Sequence, residues 1–210
     1  MTTAIVPAKS FVRAKSRLAE VLDAPSRAAL ARSLFDHVLD VVVACVRVSG
    51  VLVVTDGDDV EAAARARGVP CVRDTGTPPL RVAVDLGLEV VQQRPSEGAL
   101  VLMSDLPWLT SADVAALVDG LVRADVVLGP DSHQLGTNAL GLRPGIRLPT
   151  AFGRPDSFRE HMDRARALAL RTYVHESPGI GFDVDTPSDL RAMNTLSERR
   201  RARTGSAGRV

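Results

Sequence analysis

ALVLMSDLPWLTSADVAALVDGLVRADVVLGPD, residues 99–131, reads as a strand, a helix and a second strand. The apolar run that opens it ends at Asp105, where Pro107 stops the strand and begins a turn. Thr110, with Asp113 three residues on, is an N-cap signature for a helix over 110–123. A second short apolar run, DVVLGPD, follows at 125–131. Working outward, the same alternation recurs. Strands are expected at 3–8, 51–56 and 70–74 before this unit and at 138–143 and 171–175 after it. Helices are expected from about Pro25, with Ser26 or Asp23 as cap and Leu30, Leu34, Val38 and Val41 facing the sheet, and at 58–67, 80–93, 155–168 and 186–196. Short apolar runs alternating with longer periodic ones define an α/β protein with a mostly parallel sheet covered on both faces.

The 210 residues and 45% hydrophobic content suit one domain, expected over 1–197, with the basic, small-residue-rich 198–210 as a disordered tail. A net charge of +1 gives no global field toward nucleic acid or a membrane surface. No run of ~18 apolar residues and no charged start ahead of a long apolar stretch is present, so the expected compartment is the cytoplasm. Cys45 and Cys71 lie in apolar runs and are expected to be free thiols. A homodimer through an exposed apolar helix face is compatible with the sequence. The four histidines lack metal-ligand spacing, and no P-loop, dinucleotide fingerprint or GxSxG motif is present.

In such sheets ligands sit outside the carboxyl ends of the strands. After the first strand, PAKSFVRAKSRL places Lys9, Arg13, Lys15 and Arg17 within a short loop that either neutralises a polyphosphate or is simply solvated. GFDVDTPSDL, residues 181–190, holds Asp183 and Asp185 at an i, i+2 spacing that aims both at one spot. Asp105 either caps a turn or joins them. Three converging carboxylates need raised pKa values or a cation, and an all-oxygen set selects Mg2+ or Mn2+. Thr186 and Asp189 read as the cap of the last helix, which does not account for the Asp183 and Asp185 pair. Gly136, Thr137 and Asn138, and further on Gly153, Ser157, Arg159 and His161, are anion sites or ordinary turns and caps.

Taken together, IVPAKSFVRAKSRL, MSDLPWLT, LGTNALGLRP, AFGRPDSFREH and PGIGFDVDTPSDL resemble the phosphoenolpyruvate or 2-phospho-L-lactate guanylyltransferases of deazaflavin coenzyme F-420 biosynthesis, over residues 4 to about 193. The resemblance implies a Rossmann-like three-layer sandwich of the nucleotide-diphospho-sugar transferase type, joining GTP to a phosphorylated three-carbon acid with release of pyrophosphate. It implies that Asp105, Asp183 and Asp185 bind metal and that Thr137, Gly153 and Ser157 hold the acid. Lys9 and Lys15 then meet the triphosphate, with Arg13 beside them, and Asp105, Lys9 and Lys15 are the expected catalytic groups.

The chain departs from the family pattern in three places. Arg81 stands where an LN pair is usual, and is expected near the nucleotide. Ser132, His133, Gln134 and Leu135 replace glycines before TNAL, and one extra residue separates Gly153 from Ser157. These changes leave phosphoenolpyruvate, 2-phospholactate and 3-phosphoglycerate open, with phosphoenolpyruvate preferred. The rivals are a molybdopterin or sugar nucleotidyltransferase, which generally has a glycine-rich loop after strand one, and a non-catalytic nucleotide-binding module.

Overall fold

The computed structural model describes residues 1–74 and 80–206. Seven strands form one sheet in the order β3-β2-β1-β4-β6-β5-β7. They are β1 (Thr2–Ala8), β2 (Gly50–Thr55), β3 (Cys71–Arg73), β4 (Gly98–Leu102), β5 (Val126–Pro130), β6 (Thr137–Leu142) and β7 (Thr172–Val174). All pairs are parallel except those of β6, which runs antiparallel to both β4 and β5. The opening strand-helix-strand unit is therefore real, but its two strands do not touch, because β6 lies between them.

The helices are α1 (Ala24–Ala44), α2 (Asp58–Arg65), α3 (Leu80–Gln92), α4 (Ser111–Gly120), α5 (Ser157–Ala167), α6 (Pro178–Gly181) and α7 (Pro187–Ser206). Between the two caps proposed for α1, Asp23 takes the role and accepts from the Ser26 N–H at 2.8 Å. Thr110 and Asp113 cap each other's backbone at the start of α4. Thr186 and Asp189 do the same ahead of α7. That last helix runs ten residues beyond the expected 196, to Ser206, and residues 207–210 of the expected tail lie outside the described residues. Short α6 was missed, although Ser177 followed by Pro178 is a cap-and-first-turn signal, and Ser177 accepts from the Ile180 N–H.

Alternation along each strand divides the core in two. Ala4, Val6, Leu100 and Leu102 face α1, α2 and α4, packing on Phe35, Val38, Val60 and Leu117. Ile5, Leu52, Val54 and Val101 face α3 and α5, packing on Val84, Leu88 and Ala165. Gly87 lets α3 approach β1: a Cβ there would stand 2.6 Å from Ile5 Cγ2. Both thiols are unpaired. Among the described residues, no helix is long and apolar enough to cross a membrane.

Candidate active site

Parallel pairing aligns the carboxyl ends of β1, β2 and β4 at one sheet edge, and β6, being antiparallel, brings its first residues there as well. Asp105 follows β4, while Asp183 and Asp185 follow α6. Their carboxylate oxygens come within 4.8 Å of one another. Such crowding disfavours the charged form. Burial first, then Asp105 and Asp185, push the Asp183 carboxyl up to about 6. Asn138 opposes this by donating from Nδ2 to Asp183 at 3.3 Å, and the same amide donates to the Ile180 carbonyl at 2.9 Å.

Lys15 is the cation nearest the cluster. Its Nζ donates to Asp105 at 2.6 Å and Asp185 at 3.0 Å, and its side chain is only 8% exposed. Burial alone would depress the ammonium, but the two carboxylates outweigh it and hold it above its ordinary range. The backbone contributes to this aim. Lys15 sits at φ 54, a left-handed conformation uncommon for a side-chain-bearing residue, between 3-10 turns at Phe11–Arg13 and Ser16–Leu18. Arg17 reaches Asp185 at 3.5 Å from an exposed position.

The rest of the basic loop is fastened by carboxylates that the sequence reading did not single out. Asp56 accepts from the Ser10 N–H and pairs with Arg13 at 2.6 Å, and Asp59 accepts from the Phe11 N–H at 2.8 Å. Acidic residues just after a strand and opening a helix were the available signal. Lys9, Arg13, Lys15, Asp56, Asp105 and Asp185 line one cavity of about 580 Å³, which also takes in Leu80 and Ala83 of α3. Arg81 does not line it. Its guanidinium turns along α3 to Asp85 at 3.3 Å, so the expected nucleotide contact at this position is not drawn by the geometry.

On the other side of the edge, the ladder between β5 and β6 slips by a residue: Gly129 pairs with Ala139, yet Pro130 pairs with Thr137. Beside this bulge, alternation along the strand sends the neighbouring side chains of Thr137 and Asn138 to different tasks. Asn138 goes to Asp183. Thr137 goes to α5, where its hydroxyl lies 3.0 Å from His161 Nδ1 and 3.2 Å from Ser157 Oγ. All three of these residues are buried. Gly153 stands just before α5 at φ 84, where a glycine is favoured and any other residue is strained. Gly136 has a different role from the anion donor considered above. Its N–H donates to Asp131, as do those of His133 and Leu135, so one carboxylate uses the loop's backbone donors. Arg159 pairs with Asp156 on the surface at 2.7 Å.

A carboxylate trio at the carboxyl edge of a doubly covered sheet, reached by a lysine-bearing loop over an open cavity, suits transfer of a phosphoryl or nucleotidyl group, and the relatives of this chain are nucleotidyltransferases. The fold agrees with that of a nucleotidyl transferase from Methanothermobacter thermautotrophicus, which matches at a TM-score of 0.69 and 18% identity over 95% of this chain and 99% of that one. A 4-diphosphocytidyl-2C-methyl-D-erythritol synthase from Anaerococcus prevotii matches at 0.66 and 12% identity, over 94% and 96%. More narrowly, the chain belongs to the family described as Guanylyl transferase CofC like, whose profile matches residues 2–203. It is 36% identical to a phosphoenolpyruvate guanylyltransferase of Sphaerobacter thermophilus, over 91% of this chain and 92% of that protein. A protein of the same name from Rubrobacter xylanophilus is 39% identical, over 89% and 90%. A 2-phospho-L-lactate guanylyltransferase of Methanothermobacter thermautotrophicus is 34% identical, over 90% and 82%.

Proposed function

We propose that this protein transfers a guanylyl group from GTP to phosphoenolpyruvate, releasing pyrophosphate, as a step toward a deazaflavin coenzyme of the F-420 type. The observation that carries the reading is the carboxylate trio with Lys15 at the mouth of the basic cavity, in a chain of the guanylyl transferase family. Phosphoenolpyruvate is preferred because the relatives at 36% and 39% identity bear its name; the relative at 34% is named for 2-phospho-L-lactate.

The reaction is a displacement at phosphorus. An oxygen of the acceptor's phosphate forms a bond to the α-phosphorus of GTP as the bond from that phosphorus to the bridging oxygen breaks, and pyrophosphate leaves with the electron pair. A phosphate dianion is already a nucleophile at neutral pH, so no general base is required. What must be supplied is charge and alignment for two anions that repel.

Asp105, Asp183 and Asp185 suit a hard divalent cation, because all donors are oxygens and because burial, with Asp105 and Asp185 alongside, disfavours the charged form of Asp183, a cost that a cation offsets. Mg2+, or Mn2+ in its place, would offset negative charge on the transferring phosphoryl group. Lys9 and Lys15 carry the protein's own positive charge into the cavity, while Arg13 is largely committed to Asp56. Thr137 and Ser157 offer hydroxyls to the acid, and Gly153 provides the tight turn ahead of them.

The test is pyrophosphate release from Mg2+ and GTP with phosphoenolpyruvate, 2-phospho-L-lactate or 3-phosphoglycerate, and with ATP as a parallel donor. Release with GTP and phosphoenolpyruvate is expected. Release with only another acid would move the assignment to that acid, and silence with all three would end the reading.

A further inference from the structure

The buried hydroxyl pair of Thr137 and Ser157 is held from behind by a histidine whose proton positions can be worked out. His161, on α5, is fully buried. The Ala151 backbone N–H points at its Nε2 at 2.8 Å, and a backbone N–H can only donate, so Nε2 must be the bare, accepting nitrogen. The ring is neutral, since burial pushes its pKa down to about 4. A neutral imidazole with a bare Nε2 carries its proton on Nδ1. Nδ1 thus carries its proton 3.0 Å from Thr137 Oγ1 and also within reach of the Ser157 backbone, and Thr137 cannot give its own proton to the ring.

Counting protons then sets the polarity of the pair. Two hydroxyls share a single contact at 3.2 Å, which uses one of their two protons. The other proton cannot go to His161, so it is available to donate away from the ring. With a bare Nδ1 the hydroxyl could instead spend that proton on the histidine and offer a substrate only a lone pair.

We infer that His161 is a positioning residue for the three-carbon acid: its fixed tautomer, set by Ala151 N–H, leaves the Thr137 hydroxyl, which accepts from Ser157 Oγ, with its own proton free for an anionic oxygen of the acceptor. This deepens the proposed function and rests on its placing of the acid at Thr137 and Ser157. The ligand chemistry is a phosphate or carboxylate oxygen that only accepts hydrogen bonds. Thr137, Ser157 and His161 are not among the residues that line the basic cavity, so the contact is expected to bear on the acid rather than on GTP.

Two amides separate the halves of the imidazole. In His161→Asn the side-chain amide can still donate near the old Nδ1 position but does not reach Ala151. In His161→Gln the amide oxygen can still accept from Ala151, but no donor faces Thr137. Binding of phosphoenolpyruvate, with inorganic phosphate as a second probe, is measured by titration calorimetry in wild type and both variants, alongside KM for acid and for GTP.

The expected result is a loss of acid affinity of about tenfold or more in His161→Gln, with KM for GTP unchanged and most of the loss recovered in His161→Asn. Thr137→Val should reproduce the loss while keeping the strand's shape. The double variant Thr137→Val/His161→Gln should be no worse than Thr137→Val alone, because the histidine acts through the threonine. If both amides bind acid like wild type, or if acid and GTP weaken together, the positioning role is overturned while the guanylyl transfer stands. Should wild type bind neither anion and release no pyrophosphate, the proposed function falls with it. If His161→Gln does not fold, wild-type acid affinity in Thr137→Val overturns the inference on its own.

Discussion

The two sides of the active edge solve the problem of buried polarity in opposite ways. Around Thr137, Ser157 and His161 every group is neutral and most hydrogen bonds are satisfied within the protein. Around Asp105, Asp183 and Asp185 like charges crowd, and Lys15 with the exposed Arg17 does not balance three carboxylates. The first region leaves a single hydroxyl proton to be taken up by an acceptor, and the second is stabilised by any cation that enters. Their acid responses also oppose each other. His161 has a folded pKa of about 4, below its ordinary 6.5, so the unfolded chain binds more protons in that window and stability rises with pH through it. Asp183 has a folded pKa of about 6, above its ordinary 3.8, so here the folded chain binds more protons and stability falls as pH rises.

The largest effect that would break this contrast is on turnover. Asp105→Asn and Asp183→Asn should each lower kcat for pyrophosphate release by about a thousandfold or more. Asp183→Asn should at the same time raise Tm at pH 7 in metal-free buffer, since the repulsion goes with the charge. Near-wild-type rates in both would end the metal assignment. Next comes Lys15→Ala, expected to raise KM for GTP by roughly ten- to a hundredfold and KM for the acid much less; steady-state kinetics with each substrate varied would show a reversal if the two substrates had been placed the wrong way round.

The third measurement sharpens the comparison directly. Chemical denaturation between pH 4 and pH 6.5 should show a stability gain of up to about 3 kcal/mol from His161, nearly all of it cancelled by Asp183, whose opposite shift is almost as large. Asp183→Asn should steepen that rise, and His161→Gln should flatten or invert it. A pH profile unchanged by either substitution would show that neither group titrates as described. Smallest of all is Arg81→Ala, which should leave KM for GTP within about twofold, because the side chain is tied to Asp85 in an exposed pair worth well under 1 kcal/mol. A large rise in KM would return Arg81 to the nucleotide site.

Much of this was readable before any coordinates. Seven apolar runs and the caps at Asp23, Thr110 and Thr186 mark elements that the structure contains, because alternation and capping are local properties of the chain. The three aspartates could be grouped because two share a strand-like spacing and the third ends a strand, and strand ends lie at one edge. Less legible were the carboxylates of Asp56 and Asp59, whose partners Ser10, Phe11 and Arg13 lie more than forty residues away. For Gly136 the sequence left an anion site and an ordinary turn both open, and in the structure its N–H donates to Asp131 within the turn.

Composition, periodicity and five short motifs determined the class of fold, the family and the identity of the charged residues, since each depends on neighbours along the chain. Only the tertiary structure decided that β6 enters between β4 and β5, that Asn138 meets the carboxylates while Thr137 meets His161, and that Lys15 is aimed at Asp105 and Asp185. Those outcomes follow from how strands from distant parts of the chain pair and where their side chains then meet. Register and the burial of charge are properties of that packing, and no window of the sequence contains both partners.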